Sequence, residues 1–186
     1  PLIREYSNFL DIHTCKKIIE DFGEELKPSM TTDGKNHILH EGRIIKSCFI
    51  DSREKIIEPI IKKLLKNIET DKYFFFNPQF TLYETGGRYI AHSDAFDFRD
   101  HKISKKIKSK GQRVITNIIY MNNVFEGGET SFPMLQIKVP PESGKLVSFN
   151  NCMKGTLDMH PMSIHESLPV IKGKKFILTL WAHSND

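Results

Sequence analysis

Short runs of strand-forming residues, separated by glycine, proline and asparagine, follow one another from Tyr73 to the end of the chain. Four of these runs are FFFNPQFTLY, RVITNIIYM, GKLVSF and KFILTLWAH, and helical signals between them are scarce. Runs that are rich in Phe, Ile, Val, Thr and Tyr and are bounded by turn-forming residues are typical of β-strands. Roughly six to eight such strands in one segment predict a jelly-roll or barrel over residues 73–186.

The N-terminal part of the chain, residues 1–70, shows helical periodicity instead. One apolar stripe at helical spacing consists of Cys15, Ile18, Ile19, Phe22 and Leu26. Asp11 or Thr14 is available as its N-cap. A second stripe follows Asp51 and consists of Ile56, Ile57, Ile60, Ile61, Leu64, Leu65 and Ile68. Pro59 lies inside the second stripe, where it either kinks the helix or marks a later start. We therefore expect an α+β fold, mainly β, in which helices in residues 1–70 support the strand-rich core.

Length and composition indicate one globular domain spanning residues 1–186. The chain has 186 residues and a mass of 21.5 kDa, which is enough to bury a core without disulfides. Hydrophobic residues make up 39% and charged residues 27%, a balance that excludes a disordered chain. No apolar run approaches the length of a membrane span, so we expect no membrane partner.

The cysteines predict a reducing compartment. Cys15, Cys48 and Cys152 are odd in number and far apart, and the sequence has no CxxC pair. This pattern favours free thiols over a disulfide framework, so the expected location is the cytoplasm. The sequence starts at Pro1, so we expect a trimmed N terminus and conclude nothing from the lack of a signal peptide.

A basic stretch interrupts the strand-rich region. Residues 101–112 contain five lysines and no acidic residue, at Lys102, Lys105, Lys106, Lys108 and Lys110. A solvated loop is the simpler interpretation, and a binding surface is the alternative. A groove for single-stranded nucleic acid usually adds interleaved aromatic residues, and this stretch has none. The pattern therefore disfavours a nucleic-acid partner.

Residues 83–94, with the sequence YETGGRYIAHSD, end in a histidine and an acid that are two positions apart. If this segment is a strand, His92 and Asp94 project from the same face. An imidazole and a carboxylate aimed at one point make up two-thirds of a common metal site. The chain therefore needs a third ligand from elsewhere.

Three histidines in the C-terminal part of the chain are candidates for that ligand, namely His160, His165 and His183. His165 begins the segment HESLPVIKGKKF, a polar loop that ends at a predicted strand, and it lies far downstream of Asp94. That interval leaves room for several strands to return the chain to the same place. Two histidines and one carboxylate leave open positions on a metal, as in non-haem Fe(II) oxygenases, and zinc can use the same ligands.

The last predicted strand adds a possible anion site. Alternation places one set of side chains on a single face, namely Lys175, Ile177, Thr179, Trp181 and His183. A buried lysine is costly unless an anion pairs with it. Tyr120 adds a phenol on the inner face of another strand, shared with Val114, Thr116 and Ile118. The alternatives are that Lys175 extends to the surface and that Tyr120 bonds to the backbone.

Taken together, these motifs resemble the prolyl 4-hydroxylases of the 2-oxoglutarate and Fe(II)-dependent dioxygenase superfamily. The resemblance covers most of the chain, from SNFLD to the final WAH. Its motifs are Y-x-x-G-x-x-Y-x-x-H-x-D at 83–94, RVITNIIYM at 113–121, EGGET at 126–130 and H-x-x-x-P-V-x-x-G-x-K at 165–175. It implies a double-stranded β-helix, or jelly-roll, backed by N-terminal helices. The chain departs from the family at Gly87, where Gln is usual, and at Glu166 and Ser167, where a small pair is common.

The resemblance also implies roles for single residues. It makes His92, Asp94 and His165 the iron ligands and the catalytic centre. It makes Lys175 the partner of the C5 carboxylate of 2-oxoglutarate. The implied companions of Lys175 in binding 2-oxoglutarate are Tyr83, Tyr120 and Thr130. The residues implied to contact substrate or line its pocket are Tyr89, Arg113, Trp181 and His183. The basic stretch falls where the family has a mobile loop over the substrate.

The implied activity is hydroxylation of peptidyl proline at C4, with Fe(II), 2-oxoglutarate and O2 as cofactors, ascorbate as reductant, and succinate and CO2 as products. The expected partner is a proline-containing peptide or protein. Three alternatives remain open from the sequence. In the first, the hydroxylated target is another amino-acid residue or a small molecule. In the second, the protein demethylates nucleic acid, although demethylases of this superfamily typically have Arg where Lys175 stands. In the third, the jelly-roll binds a ligand without turnover. The oligomeric state is left open.

Overall fold

The computed structural model describes residues 1–29, 31–32, 37–38, 43–68, 73–99 and 109–184. Within these residues there are two α-helices, α1 (Ile12–Phe22) and α2 (Glu58–Ile68). Three single turns of 3-10 helix lie at Gly23–Glu25, Pro133–Leu135 and Pro161–Ser163. Of the predicted basic stretch, Lys102, Lys105, Lys106 and Lys108 lie outside the described residues.

Strands make up most of the remaining regular structure. In chain order they are β1 (Ile3–Tyr6), β2 (Lys27–Pro28), β3 (Thr31–Thr32), β4 (His37–Ile38), β5 (Arg43–Ile44), β6 (Lys46–Phe49), β7 (Tyr73–Phe75), β8 (Gln79–Tyr83), β9 (Arg88–His92), β10 (Arg113–Tyr120), β11 (Glu126–Gly127), β12 (Thr130–Phe132), β13 (Ile137–Val139), β14 (Leu146–Asn150), β15 (His165–Ser167), β16 (Val170–Lys172) and β17 (Lys175–Ser184).

These strands form two main antiparallel sheets. The large sheet has the order β1-β14-β10-β17-β8-β6-β2, and β7 pairs with the far end of β17 beyond β8. The small sheet has the order β13-β12-β15-β9-β5. Two strand pairs, β11 with β16 and β3 with β4, complete the described pairing. Two antiparallel sheets with neighbours distant in sequence form the jelly-roll that the sequence predicted.

Both helices pack against one face of the large sheet. The apolar residues of this layer are buried together and include Cys15 and Ile18 of α1, Ile60 and Leu64 of α2, and Phe80, Ile119, Leu178 and Leu180 of the sheet. Because side chains alternate along a strand, the residues between these sheet positions face the other way. The helices therefore cover one side of the large sheet and leave the other side for the small sheet.

The second core fills the space between the two sheets. Ile118, Tyr120 and Ile177 of the large sheet are buried there with Phe132 and Val139 of the small sheet. Each sheet thus buries its inner face against the other, as in sandwiches built from antiparallel strands. The space between the sheets is where the predicted ligands of β9 and β15 have to point.

Most sequence expectations about the helices are met, with one correction. Asp11 caps α1 by accepting a hydrogen bond from the Thr14 amide, at 2.8 Å. Pro59 lies in the first turn of α2, so it marks the start of the helix and no kink arises. The segment 1–70 is not only helical, because β1, β2 and β6 join the large sheet and β5 joins the small one. Within the described residues, neither helix has the length and apolar character needed to cross a membrane.

The interface between α1 and the large sheet yields a stability prediction. Ile18 is fully buried (0% exposed), whereas Ile12 in the same helix is 58% exposed. Ile18→Ala leaves a cavity and is expected to lower the free energy of unfolding by about 2–5 kcal/mol, measured by urea denaturation. Ile12→Ala is the matched control, with an expected change below about 0.5 kcal/mol. Equal effects of the two variants would contradict the described packing of α1.

Candidate active site

The pairing of β9 with β15 brings two predicted ligands together. His92 and His165 are directly opposite each other in the antiparallel register, and their ring centroids are 4.4 Å apart. Asp94 follows two residues after the end of β9. The ligand atoms of these three residues lie within 4.8 Å of one another, which is close enough for a single ion to contact all three. Among the described residues the predicted triad is therefore confirmed as a metal-binding cluster.

Backbone carbonyls set the orientation of both imidazoles. His92 Nδ1 lies 2.8 Å from the Ile90 carbonyl oxygen, and His165 Nδ1 lies 3.0 Å from the Ser163 carbonyl oxygen. A carbonyl only accepts, so each Nδ1 carries the proton and each Nε2 keeps its lone pair. Both Nε2 atoms face the Asp94 carboxylate, at 3.4 Å for His92 and 3.7 Å for His165. The hydrogen bonds thus present three metal-binding atoms toward one point.

A chain of buried polar groups holds the third ligand. Thr116 Oγ1 donates to Asp94 Oδ2 at 2.7 Å, and Trp181 Nε1 donates to the same oxygen at 2.9 Å. Asn151 Nδ2 in turn donates to Thr116 Oγ1 at 2.8 Å. Thr116 and Asn151 are fully buried. Two donors on Oδ2 fix the carboxylate plane and leave Oδ1 facing the imidazole of His92.

The electrostatics of the cluster suit a cation. Burial acts to raise the pKa of Asp94, but His165, His92 and Arg113 more than offset it, so its pKa lies well below the usual range. Burial lowers the pKa of His165. Asp94 is therefore ionised and His165 is neutral at neutral pH, which are the forms that bind metals. Two imidazole nitrogens and one carboxylate oxygen fit Fe(II) with positions left open for other ligands, and this set also accommodates zinc.

The triad opens into a cavity of about 600 Å³ that lies between the sheets. Its walls include Tyr83, Thr130, Ile118 and Ile177. Volumes of this size are typical of small-molecule sites. The cavity is therefore large enough for a co-substrate and part of a second molecule.

Lys175 lies in the wall of this cavity and is almost fully buried, with 1% of its surface exposed. Its Nζ donates to the Gly128 carbonyl oxygen at 2.7 Å and to Ser167 Oγ, and lies over the Tyr83 ring, 4.1 Å from its centroid. No carboxylate of the described residues is within ion-pair distance of it. Burial, only slightly countered by Glu129, lowers its pKa to about 7. A buried amine without an acidic partner, facing a cavity, fits an anionic ligand.

The two other predicted co-substrate residues are adjacent to one another. Tyr120 Oη and Thr130 Oγ1 form a hydrogen bond of 2.6 Å. Thr130 lines the cavity, whereas Tyr120 is fully buried behind it and is not among the lining residues. Burial raises the pKa of Tyr120, so its phenol stays neutral and can donate. The structure thus gives Thr130 a direct position in the cavity wall and Tyr120 a supporting one.

Three of the four residues predicted to contact substrate also line the cavity, on the side of the metal cluster. Tyr89 stacks on the His92 ring with centroids 3.7 Å apart. The Arg113 guanidinium lies 3.9 Å from the centroid of Trp181 and 4.8 Å from that of Phe96. Stacking of this kind holds a planar guanidinium in a fixed orientation.

His183, the fourth of these residues, takes a different position. It is buried, with Nδ1 3.0 Å from the Lys110 carbonyl oxygen, and its ring packs against Phe74 and Phe76. It is not among the described residues that line the cavity. Burial, reinforced by Arg113, lowers its pKa to about 4, so it is neutral at neutral pH. Although His183 follows Trp181 by two positions, the strand pairing there shifts register near Arg113.

Several site residues were not predicted from the sequence. Thr116 and Asn151 orient Asp94, and Gly128 and Ser167 hold Lys175. The alternation pattern places Thr116 on the inner face of its strand and could have assigned it to the site. Asn151 and Gly128 carry no such signal, because they act through contacts between segments that are distant in the sequence.

Gly87, where the family usually has Gln, occupies a crowded turn. A Cβ atom there would lie 2.7 Å from the Glu84 carbonyl oxygen and 3.0 Å from that of Ile44. The Gly87 carbonyl oxygen also accepts a hydrogen bond from the Val170 amide at 3.1 Å. A side chain at this position would push the turn away from β5 and from the start of β16, so this chain has room only for glycine.

The buried chain behind Asp94 yields a prediction about metal affinity. Thr116→Val keeps the side-chain shape but removes one donor to Asp94 and leaves Asn151 without its acceptor. We expect affinity for Fe(II) or Zn(II) to fall about tenfold, measured anaerobically by calorimetry, since residues behind metal ligands typically contribute about 10–100-fold. Thr156→Val, at an exposed position, is the matched control. Unchanged affinity in Thr116→Val would show that Trp181 alone orients the carboxylate.

Curated proteins similar to this chain extend over nearly its whole length. A putative prolyl 4-hydroxylase of Acanthamoeba polyphaga mimivirus is 26% identical over 94% of this chain and 71% of that protein. Prolyl 4-hydroxylase 13 of Arabidopsis thaliana is 27% identical over 97% of this chain and 70% of that protein. The matched part of this chain therefore includes both its helices and its jelly-roll.

Solved structures and a family model agree with this similarity. The viral collagen prolyl hydroxylase of Paramecium Bursaria Chlorella virus-1, in its 2OG complex, has a TM-score of 0.80 and 25% identity, covering 99% of this chain and 97% of that one. A Pseudomonas putida prolyl-4-hydroxylase shares the fold, with a TM-score of 0.67, 19% identity, and coverage of 100% of this chain and 94% of that one. The model of the 2OG-Fe(II) oxygenase superfamily matches residues 78–183, which include every proposed metal ligand. The chain therefore belongs to the 2OG-Fe(II) oxygenase superfamily, in the prolyl 4-hydroxylase family that its motifs predicted.

Proposed function

We propose that this protein hydroxylates proline residues of peptides or proteins at C4. One observation carries the proposal: a single cavity contains the metal-binding triad and a buried lysine that lacks an acidic partner among the described residues. The names of the two relatives described above, both prolyl 4-hydroxylases, support proline as the target. A peptide complex of the prolyl hydroxylase of Trichoplax adhaerens, which has the same fold, is compatible with a peptide substrate.

The reaction class follows from family membership. The protein is a dioxygenase that uses Fe(II), 2-oxoglutarate and O2. When bound, these groups supply the oxidant: one oxygen atom of O2 enters 2-oxoglutarate, which loses CO2 to become succinate, and the other becomes the new hydroxyl group. The protein contributes by holding the reacting groups in position and by excluding water from them.

We assign Lys175 to the distal carboxylate of 2-oxoglutarate. Its ammonium would form a charge-assisted hydrogen bond in a region from which water is largely excluded. Thr130 lies in the same wall and is held by Tyr120, so it can donate to the same carboxylate. Tyr83 covers Lys175 with its ring. The other end of the co-substrate then points toward the triad, where a metal leaves positions open.

We assign Tyr89, Trp181 and Arg113 to the substrate. The two aromatic rings give apolar surface beside the metal cluster, which suits a pyrrolidine ring. The Arg113 guanidinium, which lies against the rings of Trp181 and Phe96, is assigned to donate to a peptide carbonyl. For His183 we propose a supporting role, since its ring is covered by Phe74 and Phe76.

Two expectations that accompany this function remain proposals. We propose ascorbate as the reductant that keeps the iron in its Fe(II) form. We also propose a reducing compartment such as the cytoplasm, which the three free cysteines support.

Lys175 yields a prediction about protons. Its pKa of about 7 makes the amine mostly neutral at about pH 8 before a ligand binds. A carboxylate beside it favours the charged form and raises this pKa, so binding of 2-oxoglutarate should take up about one proton. The number of protons taken up on binding is measured by calorimetry of the zinc-loaded protein in buffers with different ionisation enthalpies.

The control for this measurement is Lys175→Arg. Arginine is charged at every pH in this range, so its complex should form with little proton uptake. Equal uptake by both proteins would place the titrating group elsewhere and would remove the assignment of Lys175 to the carboxylate.

The substrate proposal is tested with a panel of proline-containing peptides and matched peptides in which alanine replaces the proline. With Fe(II), 2-oxoglutarate and ascorbate, we expect mass spectrometry to find one added oxygen on proline. The amount of hydroxylated peptide should match the amount of succinate formed. His165→Ala should abolish both products because it removes a ligand, whereas His160→Ala, at a histidine outside the triad, should retain most of the activity.

Several outcomes would contradict the proposal. Preferred oxidation of lysine or of a free amino acid would change the target residue. Preferred turnover of a methylated oligonucleotide would place the protein with the demethylases. Succinate formation that survives in His165→Ala would remove the triad from the reaction.

A further inference from the structure

One part of the cavity wall consists of uncharged polar side chains. These side chains have no role in the assignments made above for the metal and the co-substrate. They belong to Ser29, Ser47, Gln79, Thr81 and Thr179. We call these five residues the polar wall. Ser29 directly follows β2, and the other four belong to β6, β8 and β17 of the large sheet.

The register of the large sheet groups these residues on one face. Thr179 of β17 pairs with Gln79 of β8, and Thr81 of β8 pairs with Ser47 of β6. Phe80 and Leu178, which alternate with them, are buried in the layer under the helices. Alternation therefore directs the side chains of the polar wall into the space between the sheets.

The polar wall has unused hydrogen-bonding capacity. Ser29 and Ser47 bond to each other through their hydroxyls, and Gln79 Nε2 donates to Ser47 Oγ at 3.2 Å. Within the described residues, the amide oxygen of Gln79 and the hydroxyls of Thr81 and Thr179 form no side-chain hydrogen bond. Yet Thr81 is only 2% exposed and Thr179 only 6%. Gln79, Thr81 and Thr179 all line the cavity, so these unused groups are placed to bond to a molecule that enters it.

The composition of the polar wall limits what that partner is. Its five side chains include no acid and no base, so it offers no charge to offset that of a carboxylate or an ammonium and suits a neutral group. Hydroxyl and amide groups both donate and accept hydrogen bonds. A main-chain peptide group, with one N–H and one C=O, is complementary to such a surface.

The polar wall also lies on the route to the metal cluster. Thr179 precedes Trp181 by two positions on the same face of β17, and Trp181 donates to Asp94. At the other end, Phe49 pairs with Gln79, lines the cavity and is 59% exposed. A chain that enters beside Phe49 would therefore pass Gln79 and Thr179 before it reaches the cluster.

We infer that the polar wall binds the peptide group that follows the target proline, and that Gln79 and Thr179 determine this specificity. This inference rests on the proposed function. The peptide group before a proline lacks an N–H, so only the group after it offers both a donor and an acceptor. Gln79 and Thr179 would accept from this N–H and donate to this C=O.

A pair of peptide ligands tests the inference directly. One is a proline-containing peptide, and the other is its depsipeptide, in which an ester oxygen replaces the N–H after proline. Binding to zinc-loaded protein with 2-oxoglutarate is followed by the fluorescence of Trp181, the one tryptophan in the sequence. We expect wild-type protein to bind the amide about three- to tenfold more tightly than the ester, since one hydrogen bond is removed.

The variants then locate the interaction. In Gln79→Met or Thr179→Val, the ratio of the ester Kd to the amide Kd should fall toward one. The affinity for 2-oxoglutarate should stay within about twofold of wild type. Thr156→Val, at an exposed position, is the matched control and should keep the full preference. If urea denaturation shows that either Gln79→Met or Thr179→Val does not fold, the amide preference of the other variant tests the inference.

The contrary outcomes are distinct. An unchanged amide preference in both variants, with a wild-type protein that hydroxylates proline peptides, would overturn the inference and leave the proposed function intact. A large loss of 2-oxoglutarate affinity would assign the polar wall to the co-substrate and also overturn it. Wild-type protein that neither binds nor hydroxylates any proline peptide would contradict both.

Discussion

The pairing of β9 with β15 is the constraint on which the rest of the site depends. Side chains alternate along strands, so a slip of one residue in this register would turn the imidazole of His92 or His165 away from the cavity. The register is held by the neighbouring strands β12 and β5, which enclose the pair within the small sheet. The metal cluster is thus specified by backbone hydrogen bonds before any metal arrives, and the contacts of Thr116 and Trp181 only refine it.

Lys175 shows how this fold accepts a local cost for function. Burying an amine without an acid is unfavourable, and the protein meets the cost in part through the Gly128 carbonyl, the Ser167 hydroxyl and a lowered pKa. On the proposed function, an anion that binds beside Lys175 would offset the remaining cost. Sites that bind a ligand strongly often reduce the stability of the empty protein in this way. Filling the cavity should therefore stabilise the whole fold.

The sequence predicted what depends on alternation and spacing, and it missed what depends on long-range packing. The strand runs, Asp11 as a candidate helix cap, the pair His92 and Asp94, and the shared face of Lys175 and Trp181 follow from local sequence patterns, and the structure agrees with them. The third ligand, His165, came from the family resemblance. The strands within the segment 1–70 were missed because each is too short to show alternation. Asn151 was missed, and so was the grouping of Thr179 with the rest of the polar wall, because both depend on strand order, which no local pattern encodes. His183 was placed beside Trp181 by alternation, whereas the irregular pairing near Arg113 puts it outside the cavity wall.

Strand β17 also fixes the spacing between two parts of the site. Lys175 and Trp181 lie on one continuous strand, six residues or about 20 Å apart along the backbone. Trp181 donates a hydrogen bond to the metal ligand Asp94. Because β8 and β10 pair with β17 on either side, this separation cannot stretch or shrink. On the proposed role of Lys175, this fixed spacing limits the length of the dicarboxylate that can reach both the ammonium group and the metal cluster. On the same proposal, a dicarboxylate with one methylene more or fewer would keep the same charges but would fit this fixed spacing less well.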